Sequence, residues 1–404
     1  MSVFKMAWRN VWRNRRRSIV TIAAMTLALC VEILYSGLVT GYLQGMEDDV
    51  LDLEVGDMQV FAGDYLDKPS IYTAIKNPDA LLAQLDGMGY PASARLLGGG
   101  LAAADGFSAG VALRGVDVAQ DAKVTQIGTK IADGTWLVPA DLHGVVVGRR
   151  LAKTLEVKPG DELVILSQAA DGSLANDLYT VRGVLMGVAD ATDRSAIFMN
   201  AEAFRELMVF PAGAHQIIVR RPDNVELEAA AATVKGCAGT LNVKTWKELM
   251  PVVASMLEST QGLILIVFFI IYVAVGILIL NAMLMAVFER IREFGVLKAL
   301  GMGPLRIVNL ILVESAIQTG IAVVAGVTLA IPGMWYIGNV GINVGKLGGM
   351  SAMGLAMRPV WYGIYNSGTL SGPLVMLVLI VFLAVLYPAC KAAWIRPVEA
   401  MRHQ

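Results

Sequence analysis

Four apolar runs divide the chain, roughly Ser18–Tyr42, Leu263–Val287, Ile307–Tyr336 and Leu374–Cys390. Each has the length of a helix that crosses a hydrocarbon core, about 17–25 residues. Ahead of the first run, Phe4, Ala7, Trp8, Val11 and Trp12 recur at helical spacing, with Lys5, Arg9, Arg13 and Arg16 on the other face. This predicts an amphipathic helix over residues 1–17 at a membrane interface, its tryptophans at headgroup level. It reads either as a topology anchor or as an elbow that moves with the first span. The first run is too long, and too poorly followed by a small-residue cleavage site, for a secretory signal, so a retained span is expected.

Between the first two runs the pattern changes. Asp57–Ala62 alternates like a strand, and Asp79–Met88 has helical spacing. Gly144–Gly148, Glu162–Ser167, Leu178–Val188, Ala196–Met199 and His215–Val219 read as strands, and Arg149–Leu155, Ala201–Met208 and Val225–Val234 as helices. Pro159-Gly160 and Asp171-Gly172 mark turns. Short strands mixed with short helices predict one or two α+β subdomains. The expected organisation is an interfacial helix 1–17, spans at 18–44, 263–287, 307–336 and 374–390, a large extracytoplasmic α+β domain at 45–258, a cytoplasmic segment at 288–306, an outer loop at 337–372 and a cytoplasmic tail at 391–404.

Composition fits this division. Of 404 residues, 56% are hydrophobic and 17% charged, and the mean hydropathy is +0.59. A soluble domain has no use for so much apolar surface. The net charge of −1 gives no ground for a nucleic-acid partner. Cys30, Cys237 and Cys390 fall in different regions, as do His143, His215 and His403, so neither a disulfide framework nor a metal-ligand spacing emerges.

Charge sets the orientation. Lys5, Arg9, Arg13, Arg15, Arg16 and Arg17 precede the first span; Arg290, Arg292, Lys298 and Arg306 follow the second; Lys391, Arg396 and Arg402 follow the fourth. With four spans these segments share one side, which the Lys/Arg bias makes cytoplasmic. Only Lys346 and Arg358 lie between spans three and four.

The segment after the second span is the most informative. Ile291, Phe294 and Leu297 form an apolar ridge, Glu289 and Glu293 lie one turn apart, and Gly301 and Gly303 end the helix. An apolar ridge with a mixed-charge rim suits docking into a groove on a cytosolic protein. A solvated loop would explain the arginines but not the ridge.

The run Glu-Arg-x-x-Glu-Phe-Gly-Val-Leu-Lys-Ala-Leu-Gly at 289–301, Glu314, Tyr387-Pro388-Ala389, Ala392 and Arg396-Pro397-Val398-Glu399-Ala400 resemble the FtsX-like superfamily of ABC transporter permeases. The resemblance implies a homo- or heterodimer bound to two ABC ATPase subunits, with movement relayed to the outer domain. It places Glu289, Arg290, Glu293, Phe294, Gly295 and Lys298 at the ATPase. No Gly-x-x-x-x-Gly-Lys-Ser/Thr loop occurs in the chain. ATP and Mg would therefore belong to the partner ATPase, with no cofactor here, and the chain is not expected to be an enzyme.

Within the superfamily, Gly37–Tyr65, Gly148-Arg149-Arg150-Leu151-Ala152 and Val157-Lys158-Pro159-Gly160-Asp161 look most like the lipoprotein-releasing Lol permeases of the bacterial inner membrane. That likeness implies lateral entry of an acylated lipoprotein between spans one and two of two protomers. Glu32, Tyr35, Leu38, Val39, Tyr42, Val267 and Phe268 are the depth-matched cleft candidates. Glu32 is costly at its depth, and pairing across a dimer, protonation and cargo contact stay open. Gly37, Gly41 and Gly45 have a spacing that favours helix contact, such as between two first spans. The segment 337–372, rich in glycine and carrying Met350, Met353, Met357, Trp361, Tyr362 and Tyr365, exceeds the Lol pattern. Tripartite efflux with a periplasmic adaptor, and FtsX-type control of a cell-wall hydrolase, remain alternatives.

Overall fold

A computed structural model of the protein describes residues 3–13, 15–344 and 360–394. They form two units, one holding the residues up to Gln44, Met256–Val344 and those from 360 on, the other Gly45–Ser255.

The first unit is helical. An interfacial helix Val3–Arg13 precedes four long helices, Arg15–Val50, Pro251–Glu289, Pro304–Asn339 and Ser367–Trp394, with a short helix Ile291–Ala299 between the second and third. All four long helices are long and apolar enough to cross a membrane. The first has 36 residues, so at 1.5 Å per residue it is about 54 Å long, against roughly 30 Å of hydrocarbon. It therefore outruns its apolar part, through Glu47, Asp48 and Asp49, before one π turn at Leu51–Val55. The second long helix likewise starts at Pro251, well before the apolar run at Leu263. Hydropathy locates the part of a helix that suits lipid; the hydrogen-bond ladder continues wherever the backbone permits.

Small residues set the packing. Ala322, Gly326 and Ala330 recur every fourth residue on the buried side of the third long helix. A Cβ on Gly326 would stand 3.1 Å from the Thr26 carbonyl oxygen of the first helix, so these backbones approach closely there. Tyr272 of the second helix donates its hydroxyl to the Pro373 carbonyl of the fourth at 2.6 Å. Met25, Leu29, Ile33, Ile279, Ile311 and Val381 fill the core between them.

Gly37 and Gly41 face a different neighbour from the expected second copy. A Cβ at Gly37 would collide with the Tyr365 ring, and one at Gly41 with the Tyr362 carbonyl. Ile364 N–H donates to the Gly37 carbonyl at 2.9 Å, and Tyr42 meets Trp361 at 4.4 Å between centroids. The glycines make room for this chain's own strap ahead of the fourth helix. Met350, Met353, Met357, Lys346, Arg358 and the tail from Ile395 on lie outside the described residues.

The second unit is α+β. Its strands are β1 (Met58–Phe61), β2 (Ala92–Ala104), β3 (Phe107–Val116), β4 (Ile131–Gly134), β5 (Gly144–Val147), β6 (Glu162–Gln168), β7 (Leu174–Leu185), β8 (Ala196–Asn200), β9 (Gln216–Val219) and β10 (Asn242–Thr245). They run in the order β10-β1-β9-β2-β3-β8-β5-β7-β4, and β6 pairs with both β2 and β7. The pairings β2-β3-β8-β5-β7-β6 thus return to β2 and close a ring. β2 makes this possible by changing partner along its length, β9 at Ala92–Arg95 and β6 at Leu101–Ala103. Gly100 sits at the switch, where a Cβ would stand 2.6 Å from the Leu166 carbonyl oxygen.

Three packed regions result, one of them around Val116, Ile127, Val146, Leu185 and Phe198. Leu113, Val145, Leu151, Leu163, Val181 and Phe204 belong to the core of the ring. Val60, Leu85, Ile217 and Val234 form a second core where the helices Pro78–Gly87 and Leu227–Ala238 cover the β10-β1-β9 side. Between them lie buried polar ties. Arg95 pairs with Asp121 at 2.8 Å. His215 accepts from Leu97 N–H at its Nδ1 (3.1 Å) and places Nε2 3.0 Å from the Ile71 carbonyl.

Candidate coupling site

The second long helix ends at Glu289, Arg290 leaves helical geometry, and the short helix Ile291–Ala299 follows. Gly301 at φ +92° ends that segment in a conformation open to glycine. Pro304 then opens the third long helix at a position where its missing N–H costs nothing.

The expected ridge faces inward. Ile291 and Phe294 are buried against the chain's own helices, and Leu297 packs against the same core. An isolated nine-residue helix is marginal in water, and burying one face against the bundle is what holds it. Arg290 is buried with them. Its guanidinium donates to Glu314 of the third long helix at 3.0 Å and to Glu293 at 3.0 Å, and lies 5.2 Å over the Phe294 ring.

The rim reaches the remaining helices. Arg13 of the interfacial helix donates to both Glu293 oxygens, at 2.7 and 2.8 Å. Arg17 of the first long helix pairs with Glu289 at 3.0 Å. Burial would raise the Glu293 pKa, but the Arg13 and Arg290 hydrogen bonds outweigh it and hold the carboxyl below its usual value. Lys298 donates to the Ala393 carbonyl of the fourth helix, and burial lowers its pKa. Lys391 lies 4.8 Å over the Phe288 ring.

Of the six residues expected at an ATPase, Arg290, Phe294 and Gly295 are therefore buried within the chain, Lys298 is half-buried, and Glu289 and Glu293 are exposed but paired. The open face is made by others. Val296 is 46% exposed and Leu300 79%, with Arg292 beside them. Arg292, Val296 and Leu300 follow one another at four-residue intervals, opposite the ridge. The signal was available in the sequence: apolar residues occur on both sides of this short helix, and only one side can be buried at home.

The cleft candidates divide. Tyr35 and Phe268 meet edge to face at 5.9 Å, which brings the first two long helices together within one chain. Glu32 is buried, and neither carboxylate oxygen has a hydrogen-bond partner among the described residues. Leu38, Val39 and Tyr42 are half-buried and Val267 is exposed. Among the described residues no cluster of His, Cys, Asp or Glu has the arrangement of a metal site.

Comparison with known proteins gives two family matches along the chain. Residues 18–236, more than half of it, match the MacB-like periplasmic core domain, and residues 265–397 match the FtsX-like permease C-terminal domain. The chain belongs to the FtsX/MacB-type ABC transporter permeases. Members of this family are non-catalytic membrane components that work with ATPase partners. The permease is 21% identical over 309 residues to the lipoprotein-releasing system transmembrane protein LolC of Neisseria meningitidis, covering 73% of this chain and 74% of that one. It is 31% identical over 129 residues to the ABC transporter permease YknZ of Bacillus subtilis, covering 32% of this chain and 28% of that one. Among solved structures, the periplasmic region of MacB from Actinobacillus actinomycetemcomitans aligns at 13% identity and TM-score 0.36, over 49% of this chain and 92% of that one.

Proposed function

We propose that the permease is the membrane subunit of an inner-membrane ABC transporter that releases lipoproteins. A dimer of permease subunits binds two ABC ATPases, which hold ATP and Mg. The segment 288–306 couples to them, and its movement reaches a periplasmic domain formed by residues 45–258. The observation that carries this reading is the short helix Ile291–Ala299. Its Glu293 and Lys298 are tied to the interfacial helix and the fourth long helix, and the Glu289–Arg290 junction just before it is tied to the first and third. Its outer face, with Val296 and Leu300, is left open. A push on that face would reach every spanning helix at once.

The likeness to LolC supports a lipoprotein cargo. Such a cargo would sit near Glu32, Tyr35, Leu38, Val39, Tyr42, Val267 and Phe268. The match of 18–236 to a MacB-like domain favours a second reading, efflux through a periplasmic adaptor.

The test is purification of the tagged permease from its membrane in mild detergent, with mass spectrometry of what accompanies it. Wild type is compared with Val296→Asp/Leu300→Asp, whose side chains are exposed and outside the core. An ABC ATPase should accompany the wild type and be lost from the variant. A lipoprotein, an adaptor or a hydrolase in the same sample decides the cargo. Wild-type permease that carries no ATPase from intact complexes would end the coupling proposal.

A further inference from the structure

An open recess of about 820 Å³ lies at the start of the first long helix, bordered by Arg13, Arg15, Arg16 and Arg17. That volume is in the range of small-ligand sites. Two of the arginines are committed, Arg13 to Glu293 and Arg17 to Glu289. Arg15 and Arg16 have no ion-pair partner among the described residues. Four positive charges less two carboxylates leave a net of two. The opposite wall is apolar: Val20 comes from the first long helix, and Leu278 and Ala282 from the second. Val20 and Leu278 are exposed, at 58% and 40%. Trp8 and Trp12, also exposed, lie on the neighbouring interfacial helix and suit headgroup depth.

We propose that this recess binds an anionic glycerophospholipid, its phosphodiester on Arg15 and Arg16 and its acyl chain along Val20, Leu278 and Ala282. Guanidinium groups suit phosphate because their fork of donors matches its oxygens. A free phosphate would use the arginines but not the apolar wall, which is formed by two membrane-crossing helices and continues the recess along them. The lipid is the occupant that satisfies both. It would join the same cluster of charges that holds Glu289 and Glu293.

The test uses the full-length permease alone, delipidated in mild detergent, so its outcome is independent of whether an ATPase binds. Native mass spectrometry follows titration with phosphatidylglycerol and with phosphatidylcholine of identical acyl chains. Phosphatidylglycerol should bind with clear preference, and Arg15→Gln/Arg16→Gln should weaken it roughly 10- to 30-fold. Lys5→Gln/Arg9→Gln, which removes two exposed charges outside the recess, should leave it within about 2-fold. Circular dichroism checks that each variant keeps its helices; should the glutamine pair misfold, Arg16→Gln alone, expected at roughly 5-fold, carries the comparison. Equal binding of the two lipids, or equal loss in the Lys5/Arg9 control, would overturn the proposal. Displacement of the lipid by millimolar inorganic phosphate would also overturn it, assigning the arginines to a free anion.

Discussion

The Arg290–Glu314 pair is the tie whose loss should be felt most in the bundle. The two side chains are 8% and 5% exposed, and Nη1 lies 3.0 Å from Oε2. At an effective dielectric of about 20, two unit charges at that distance attract by roughly 5 kcal/mol, most of it offset by the cost of taking them out of water. Removing one partner is different, because it strands the other. The general cost of doing so is about 3–5 kcal/mol. Glu314→Ala should fall near the low end, since Arg290 keeps Glu293, a residue 44% exposed. Arg290→Ala should fall near the high end, since it takes the buried Glu314 from its arginine and also frees Glu293. Arg290→Ala/Glu314→Ala removes both charges and should cost less than the two single changes together by at least about 2 kcal/mol. Reversible unfolding in mixed detergent micelles, followed by far-UV circular dichroism, measures all four corners of the cycle. Single changes that each cost under about 1 kcal/mol, or a strictly additive double change, would refute the account of a desolvated pair that locks the turn after the second long helix to the third.

Two further perturbations probe other parts of the chain. His215 is buried and neutral, and burial lowers its pKa, so the unfolded chain takes up a proton that the folded one refuses. Stability should therefore be complete above the unfolded value, about 6.5, and decline as pH falls below it toward the depressed folded value; the slope of thermal stability between pH 7.5 and 5.5 should flatten in His215→Asn, and an unchanged slope would assign the pH dependence elsewhere. Gly41→Val would drive a side chain into the Tyr362 carbonyl and cost about 1–3 kcal/mol. Hydrogen exchange at the Ile364 amide, which donates to Gly37, should quicken at least 10-fold, and unchanged protection there would show that the strap does not depend on the glycine.

What could be read from the chain alone follows from how each signal is generated. The four apolar runs are each about a bilayer long, and nothing in a small soluble core demands that length, so those helices announce themselves. Their ends do not: Glu47, Asp48 and Asp49 look like a loop, yet the helix passes through them. In the α+β unit, strands rich in β-branched residues such as Gly144–Val147 and Gln216–Val219 were legible. The long hairpin β2–β3 was not, because Ala92–Ala104 is almost all Ala, Gly and Leu and has little intrinsic preference for a strand. It is a strand because three others pair with it, at registers set by the whole sheet. The short helix Ile291–Ala299 is the middle case. Its composition marked it as a docking element, but the side that docks is decided by competition between faces. Ile291 and Phe294 lie on the face that is buried, Phe294 within the core of the helical bundle. Val296 and Leu300, just as apolar, fall opposite and stay open. A motif thus names the segment, while the bundle chooses its working face, and the residues to mutate in any test of coupling are the ones the bundle left uncovered.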